Sequence, residues 1–341
     1  MAFGNSSFDV IASTTLQEYA PKLADNIFES QPFMQWIQAG GRMVNWDGGR
    51  TIVEPLMSGT NTTTAVYNGY DTLPTAASAG ITAAEYNLKQ AATGITISGE
   101  EEELNSGSPE QVINLLEAKI MQAQESAVQF FDEMFITSDG SGNSGKDWQG
   151  LEVLVGGELV SPICGGIDAS DSDNAWWRSE ISDGGYGVWA DPAGNNSAGA
   201  APAARALLLS EMTNVYNTIS DGQDQPGLIL TTQGLYESYN ALLAPQQRFM
   251  DPKTADAGFT NLMFMGTPIV YDDYVGAGEM YFLNHNNGYI KLRKSPRRWF
   301  NTTPFMRPYN QDAKVAQILM MGELVINNRR RQGLMSNLIP S

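Results

Sequence analysis

The chain has 341 residues, 42% of them hydrophobic, and a formal net charge of −18. That length corresponds to about two domains, or one large domain with extensions, and the apolar content suffices for a real core. The acidic balance argues against ordinary nucleic-acid affinity, which needs a net basic face. No run reaches the roughly 18 consecutive apolar residues of a membrane helix. A single cysteine, Cys164, excludes an intramolecular disulfide, and together with the single histidine, His285, it is too little for structural zinc. Met1 to Ala20 lacks the basic-then-apolar order of a secretory signal, so a cytoplasmic setting is expected.

In chain order, residues 14–26 carry Leu16, Tyr19, Ala20 and Leu23 at helical spacing, with Pro21 starting or interrupting the helix. Gln31 to Gly41 holds Phe33, Met34, Trp36 and Ile37 and predicts a short packed element. Residues 45–98 are rich in Thr, Gly, Ala, Tyr and Asn and poor in charge. Arg50 to Leu56 and Gly94 to Ser98 alternate like strands, and few large apolar residues lie between them. Such a stretch buries too little surface to fold alone. Two strands of about 12 residues would reach roughly 40 Å, and a hairpin of that kind needs a second surface, such as a neighbouring subunit. The alternative is a long loop.

Ser108-Pro109-Glu110-Gln111 reads as a helix start, with Ser108 as N-cap and Gln111 closing a capping box. Apolar residues recur from Val112 through Leu115, Phe131 and Phe135 to a stop at Asp139-Gly140. The predicted helix has about 28 residues, or roughly 42 Å. Residues 139–204 are loop-rich, with Leu151 to Val155 as a candidate strand and Trp176-Trp177 as a packed anchor. Helices are expected over 203–220 and 232–243, and a buried strand over Leu228 to Thr231. Residues 262–272 and 279–293 read as strands, the latter forming a hairpin around Asn286-Asn287-Gly288. Lys314 to Asn327 is a long apolar strand, gated by Arg329-Arg330-Arg331.

Charge is unevenly distributed. From Lys291 onward there are 10 Lys and Arg against 2 acids, Asp312 and Glu323, while the preceding residues are strongly acidic. This is either a solvated acidic surface or a basis for head-to-tail association of copies.

Candidates for chemistry are sparse. A serine triad needs a histidine base, and His285 lies in a turn sequence. Cys164 has no basic neighbour in sequence and reads as a buried, inert thiol. Glu100 to Glu103 superficially offers a carboxylate pair, and Asp168, Asp171 and Asp173 a calcium loop, but the latter lack the glycine and terminal Glu of an EF-hand. The glycines at 140–145 follow a helix, not a strand, and suit a turn better than a phosphate loop. Arg329 to Arg331 could meet another subunit, solvent or DNA. No catalytic, cofactor-binding or metal-binding residues are assigned.

Several stretches resemble the major capsid proteins of tailed bacteriophages. They are Gly165-Gly166-Ile167-Asp168 followed by Trp176-Trp177-Arg178; Leu230-Thr231-Thr232 before a Tyr-containing helix; Ala257-Gly258-Phe259 leading to Phe264-Met265-Gly266-Thr267-Pro268-Ile269-Val270; Met280-Tyr281-Phe282-Leu283-Asn284; and Asn310-Gln311-Asp312-Ala313 before the last long strand. The resemblance spans nearly the whole chain and implies an α+β capsid fold. Its expected parts are an N-terminal arm (1–44), an extended β-hairpin loop (45–98), a peripheral domain (99–160 and 301–341) with a spine helix at 109–136, and an axial domain (161–300). It implies a non-enzymatic subunit that assembles into hexamers and pentamers of an icosahedral head around double-stranded DNA, held by nonspecific proximity. A separate scaffolding protein, a portal and decoration proteins are the expected partners, with assembly in the host cytoplasm. Residues 51–88 contain no lysine and only Lys89 is near, so the covalent link made by some relatives is not expected. An encapsulin-like nanocompartment shell shares the fold and is the alternative.

Overall fold

The structure, a computed structural model, describes residues 32–39, 41–61, 63–77, 80–104, 115–156, 162–183, 202–243 and 262–338. Their contacts divide them into two units. The smaller draws on Ala92–Ala127 and Thr302–Ile318, the larger on Ser30–Ala91, Val128–Asn301 and Leu319–Ser341.

Fifteen strands and six helices organise the described residues. The larger unit is built on a six-stranded mixed sheet. Its order is β7 (Glu180–Asp183), β15 (Gly333–Ser336), β11 (Met280–Leu283), β8 (Leu228–Thr231), β10 (Thr267–Tyr271) and β9 (Met263–Phe264). Strand β8 pairs parallel with β10 and antiparallel with β11, and every one of its four residues is buried. An unbroken apolar run such as Leu228-Ile229-Leu230 fits a central strand covered on both faces. Helix α5 (Pro202–Ile219) places Leu208, Met212, Val215 and Ile219 on one stripe against Phe282 and Met335, where α6 (Gln233–Leu243) adds Leu235 and Tyr239. A Cβ at Gly333 would lie 2.7 Å from Val215 Cγ1, so glycine lets α5 approach the sheet.

A second sheet runs β1 (Met43–Asn45), β12 (Ile290–Lys294), β14 (Ala313–Ile326) and β13 (Asn301–Thr302), with β4 (Lys89–Ser98) also on β14. In the larger unit, β12 is antiparallel to the second half of β14, Ile290 facing Ile326 and Lys294 facing Gly322. Helix α3 (Leu115–Thr137) contributes Phe131 and Phe135, whose rings meet at 5.4 Å; Phe131 also meets Trp148 at 5.1 Å and Trp299 at 5.4 Å. The Trp148 indole donates to Gly322 O at 2.8 Å, fixing the aromatic cluster to β14.

In the smaller unit, α2 (Gly99–Leu104) begins with a reciprocal capping box. Ser98 Oγ accepts from Glu101 N at 3.1 Å, and the Glu101 carboxylate accepts from Ser98 N at 3.0 Å. Lys119 on α3 reaches Glu101 at 2.8 Å and Thr96 O at 3.1 Å.

Several sequence expectations change. Leu151 to Val155 is not a strand: Leu151–Leu154 is helix α4, with Leu151, Val153 and Leu154 buried. Residues 279–293 do not form a hairpin. Asn286–Gly288 is a single 3₁₀ turn, after which β12 joins the second sheet while β11 stays in the first. Strand β15 pairs with β11 and β7, and β12 with β14. The expected helix start at Ser108 and the helix over residues 14–26 lie outside the described residues; the long helix ends at Thr137.

Candidate assembly surface

Strands β2 (Thr51–Met57) and β3 (Ile81–Asn87) form an antiparallel hairpin, with Ile52 opposite Tyr86, Glu54 opposite Ala84 and Met57 opposite Ile81. The partner expected from sequence was the strand ending at Ser98, which instead joins β14. Alternation sorts the hairpin into two faces. Ile52, Glu54, Leu56, Ala84 and Tyr86 are buried, while Val53, Met57, Ile81 and Glu85 are exposed.

The buried face is fixed by polar contacts with distant parts of the chain. Tyr86 Oη donates to Ile326 O at 2.7 Å, and Glu85 N donates to Gly165 O at 2.9 Å. The Glu54 carboxylate receives Lys291 Nζ at 2.6 Å, Arg293 Nε at 3.0 Å and Arg293 Nη2 at 2.8 Å. These two cations belong to the basic C-terminal part, so one of their two charges is neutralised within the subunit. The hairpin stem thus packs on its own chain. This corrects the expectation that all of residues 45–98 lack a core of their own.

Beyond the stem the situation reverses. From Thr64 to Ala77 every residue is exposed. Val66 and Tyr70 are essentially bare at 103% and 106%, and Tyr67 and Leu73 join them. Met57 and Ile81, opposite each other at the end of the stem, are 83% and 85% exposed. A turn holds Asn68 O to Asp71 N at 2.7 Å and Asp71 Oδ2 to Asn68 N at 2.8 Å, so Tyr67 immediately precedes this turn and Tyr70 lies within it. Exposed apolar residues grouped in this way mark an interaction surface more than scattered single ones do. Covering one Val, Leu or Met side chain contributes about 1.5–3 kcal/mol. The six apolar residues of the tip and stem end together offer on the order of 10 kcal/mol before ordering costs. The sequence signal was the clustering of Val66, Tyr67, Tyr70 and Leu73 in a segment with no apolar partners nearby.

Of the residues weighed for chemistry, Cys164, His285, Glu101, Asp168 and Asp171 have structural employment. Cys164 is fully buried 3.7 Å from Tyr86 Oη, and burial pushes its thiol pKa up, the opposite of a nucleophile. His285 packs edge-on against Trp36 at 5.4 Å, with its pKa lowered by burial and by Arg42. Glu101 closes the capping box. Asp168 accepts from Ser170 N and Oγ, and Asp171 from Asp173 N, so each carboxylate closes its own turn. Among the described residues no group of three or more His, Cys, Asp or Glu is placed to hold a metal, and no helix is long and apolar enough to cross a membrane. The 140–145 stretch is a turn, with Asn143 and Ser144 in left-handed conformation; Lys89 Nζ donates to Gly145 O.

The arginine run separates into three environments. Arg329 is fully buried and donates to Leu154 O at 3.0 Å and Val153 O at 3.2 Å, at the C-terminal end of α4 where carbonyls lack partners. Arg331 binds Asp221 and Ile219 O, and Arg330 is exposed. Reading the run as one interaction or solvent site is therefore corrected for Arg329.

No protein-family model matches the sequence, and neither does any curated protein sequence. Solved structures do match over nearly the full length. The capsid asymmetric unit of cyanophage A-1(L) aligns with TM-score 0.69 at 15% identity, covering 97% of this chain and 99% of that one. The capsid of the myovirus phage XM1 aligns with TM-score 0.59 at 11% identity, covering 94% and 97%. The encapsulin SrpI of Synechococcus elongatus aligns with TM-score 0.55 at 10% identity, covering 99% and 96%. The chain has the mixed helix-and-sheet fold of tailed-phage capsid subunits.

Proposed function

We propose that this chain is the major capsid protein of a tailed bacteriophage, a structural subunit that closes into an icosahedral head. The observation that carries the reading is the pairing of a whole-chain capsid fold with a hairpin whose stem is anchored at home and whose apolar tip is not. A side-chain group of that size stays exposed at a cost in solubility unless another surface covers it. A second copy supplies that surface in every subunit of a closed shell, and many modest contacts of this kind sum to a stable particle.

On this reading the segment 45–98 lies over an adjacent subunit, the helix expected at 109–136 underlies the peripheral part, and residues 161–300 cluster at capsomer axes. Hexamers and pentamers form the shell around double-stranded DNA, with a scaffolding protein, portal and decoration proteins as partners during assembly in the host cytoplasm. No covalent link between subunits is expected, because the hairpin lacks a lysine and Lys89 is engaged with Gly145. A ladder of multimers on denaturing electrophoresis would contradict this.

The likeness to an encapsulin supports a second reading, a shell for protein cargo. Electron microscopy of the protein expressed with its neighbouring genes tests both. Closed shells containing nuclease-protected double-stranded DNA are the expected result. Closed shells holding a protein cargo favour the second reading, and a monodisperse monomer under all assembly conditions refutes both.

A further inference from the structure

The long helix carries a carboxylate where its apolar stripe should continue. Asp132 follows Phe131 and precedes Phe135 and Ile136, all fully buried, and Asp132 itself has no exposed surface. Its Oδ1 accepts from Met34 N at 2.8 Å, in the first turn of α1 (Pro32–Ala39). Asp272, 2% exposed, comes from the turn after β10 and accepts from Tyr274 N at 3.1 Å. Tyr274 Oη in turn accepts from Gln129 Nε2 on α3 at 2.7 Å. Among the described residues, no N–H or hydroxyl reaches the buried Asp132 Oδ2 or Asp272 Oδ2, and the consecutive backbone N–H groups of Met34 and Phe33 bond to Asp132 and Asp272 respectively, which sets the two carboxyls side by side. Two such oxygens are compatible only when one carries a proton and donates it to the other.

We propose that Asp132 and Asp272 form a proton-operated latch: one shared proton holds α1 onto α3 and the turn after β10, and its loss releases α1. Among the described residues, none supplies a counter-charge to replace that proton. The groups acting on the pair are Asp273, which adds like charge, and the backbone N–H groups of Phe33, Met34 and Tyr274. On the α1 side, the Arg42 guanidinium sits 4.1 Å over the Trp36 ring and His285 packs against the same ring, so both are occupied away from the carboxyls. Burial first, then the Asp272 charge, raises the Asp132 pKa to about 8, and burial raises that of Asp272.

The direction follows from linkage. The closed latch binds a proton that the open form gives up at an ordinary carboxylate pKa. Opening is therefore favoured tenfold per pH unit as pH rises from the ordinary carboxylate range to about 8, and levels off above it. Arg42, three residues beyond the end of α1 and tied to it by its guanidinium over the Trp36 ring, reports on the event. In the full-length protein, trypsin cleavage after Arg42, normalised to an unstructured peptide, should rise by up to tenfold per unit between pH 6.5 and 8 and then flatten. Asp132→Asn keeps an acceptor for Met34 N and gives a permanent donor to Asp272, so its normalised cleavage should be flat across the range. Asp272→Asn should behave alike. A wild-type rate independent of pH over this interval overturns the proposal, whatever the variants do. So does a slope retained in either folded variant.

Discussion

Glu54 gives the sharpest test of how the hairpin stem is held. Its side chain is 4% exposed and accepts three hydrogen bonds from Lys291 and Arg293, whose side chains are 13% and 25% exposed. Removing one partner of a fully buried ion pair costs about 3–5 kcal/mol, because the other charge is left unpaired. Here the two cations can turn partly toward water, so Glu54→Ala should cost about 2–4 kcal/mol, and Glu54→Gln, which keeps an acceptor, roughly half as much. The triple change Glu54→Leu, Lys291→Met, Arg293→Met removes the charges together and should recover most of the loss. Urea unfolding of dispersed subunits, followed by tryptophan fluorescence, measures each value. A loss below about 0.5 kcal/mol for Glu54→Ala, or a triple variant as unstable as the summed single variants, would show that the contact does not hold the stem.

Arg329→Met leaves the carbonyls of Val153 and Leu154 unpaired in a buried site and should cost about 2–4 kcal/mol in the same assay. Gly165 has φ +59°, and a Cβ there would lie 2.7 Å from Ala84 Cβ and 3.0 Å from Tyr86 Cζ; Gly165→Ala should destabilise by about 1–3 kcal/mol, read as a shift in urea midpoint. Cys164 should react with a thiol reagent at least 100-fold more slowly in the native subunit than in urea, since it is fully buried with a raised pKa.

The elements legible in the sequence were those whose pattern and environment agree. Leu228 to Thr231, the α5 stripe and the apolar run of β14 each say one thing, and the structure buries them accordingly. Strand β3 was hidden because its inward side chains are only Ala84 and Tyr86, too little for a period-two signal. Leu151 to Val155 is short enough to suit either period; the helix is chosen by tertiary context, where Arg329, 175 residues away from Leu154, caps its carbonyls. The same distance problem hid the hairpin's anchor. Glu54 meets Lys291 and Arg293 across 237 and 239 residues, so a charge imbalance that reads as a surface property is partly an internal contact. The tip was readable only as a lack of partners, and the acid on the apolar stripe of α3, Asp132, was a signal the helix pattern passed over.

Amide hydrogen exchange over residues 58–80, compared between dispersed subunits and assembled particles, tests the assembly account most directly. The stem strands Thr51–Met57 and Ile81–Asn87 should be protected in both states, while the segment between them should gain at least 100-fold protection on assembly alone. Equal exchange of that segment in the two states would show that no neighbouring copy covers it.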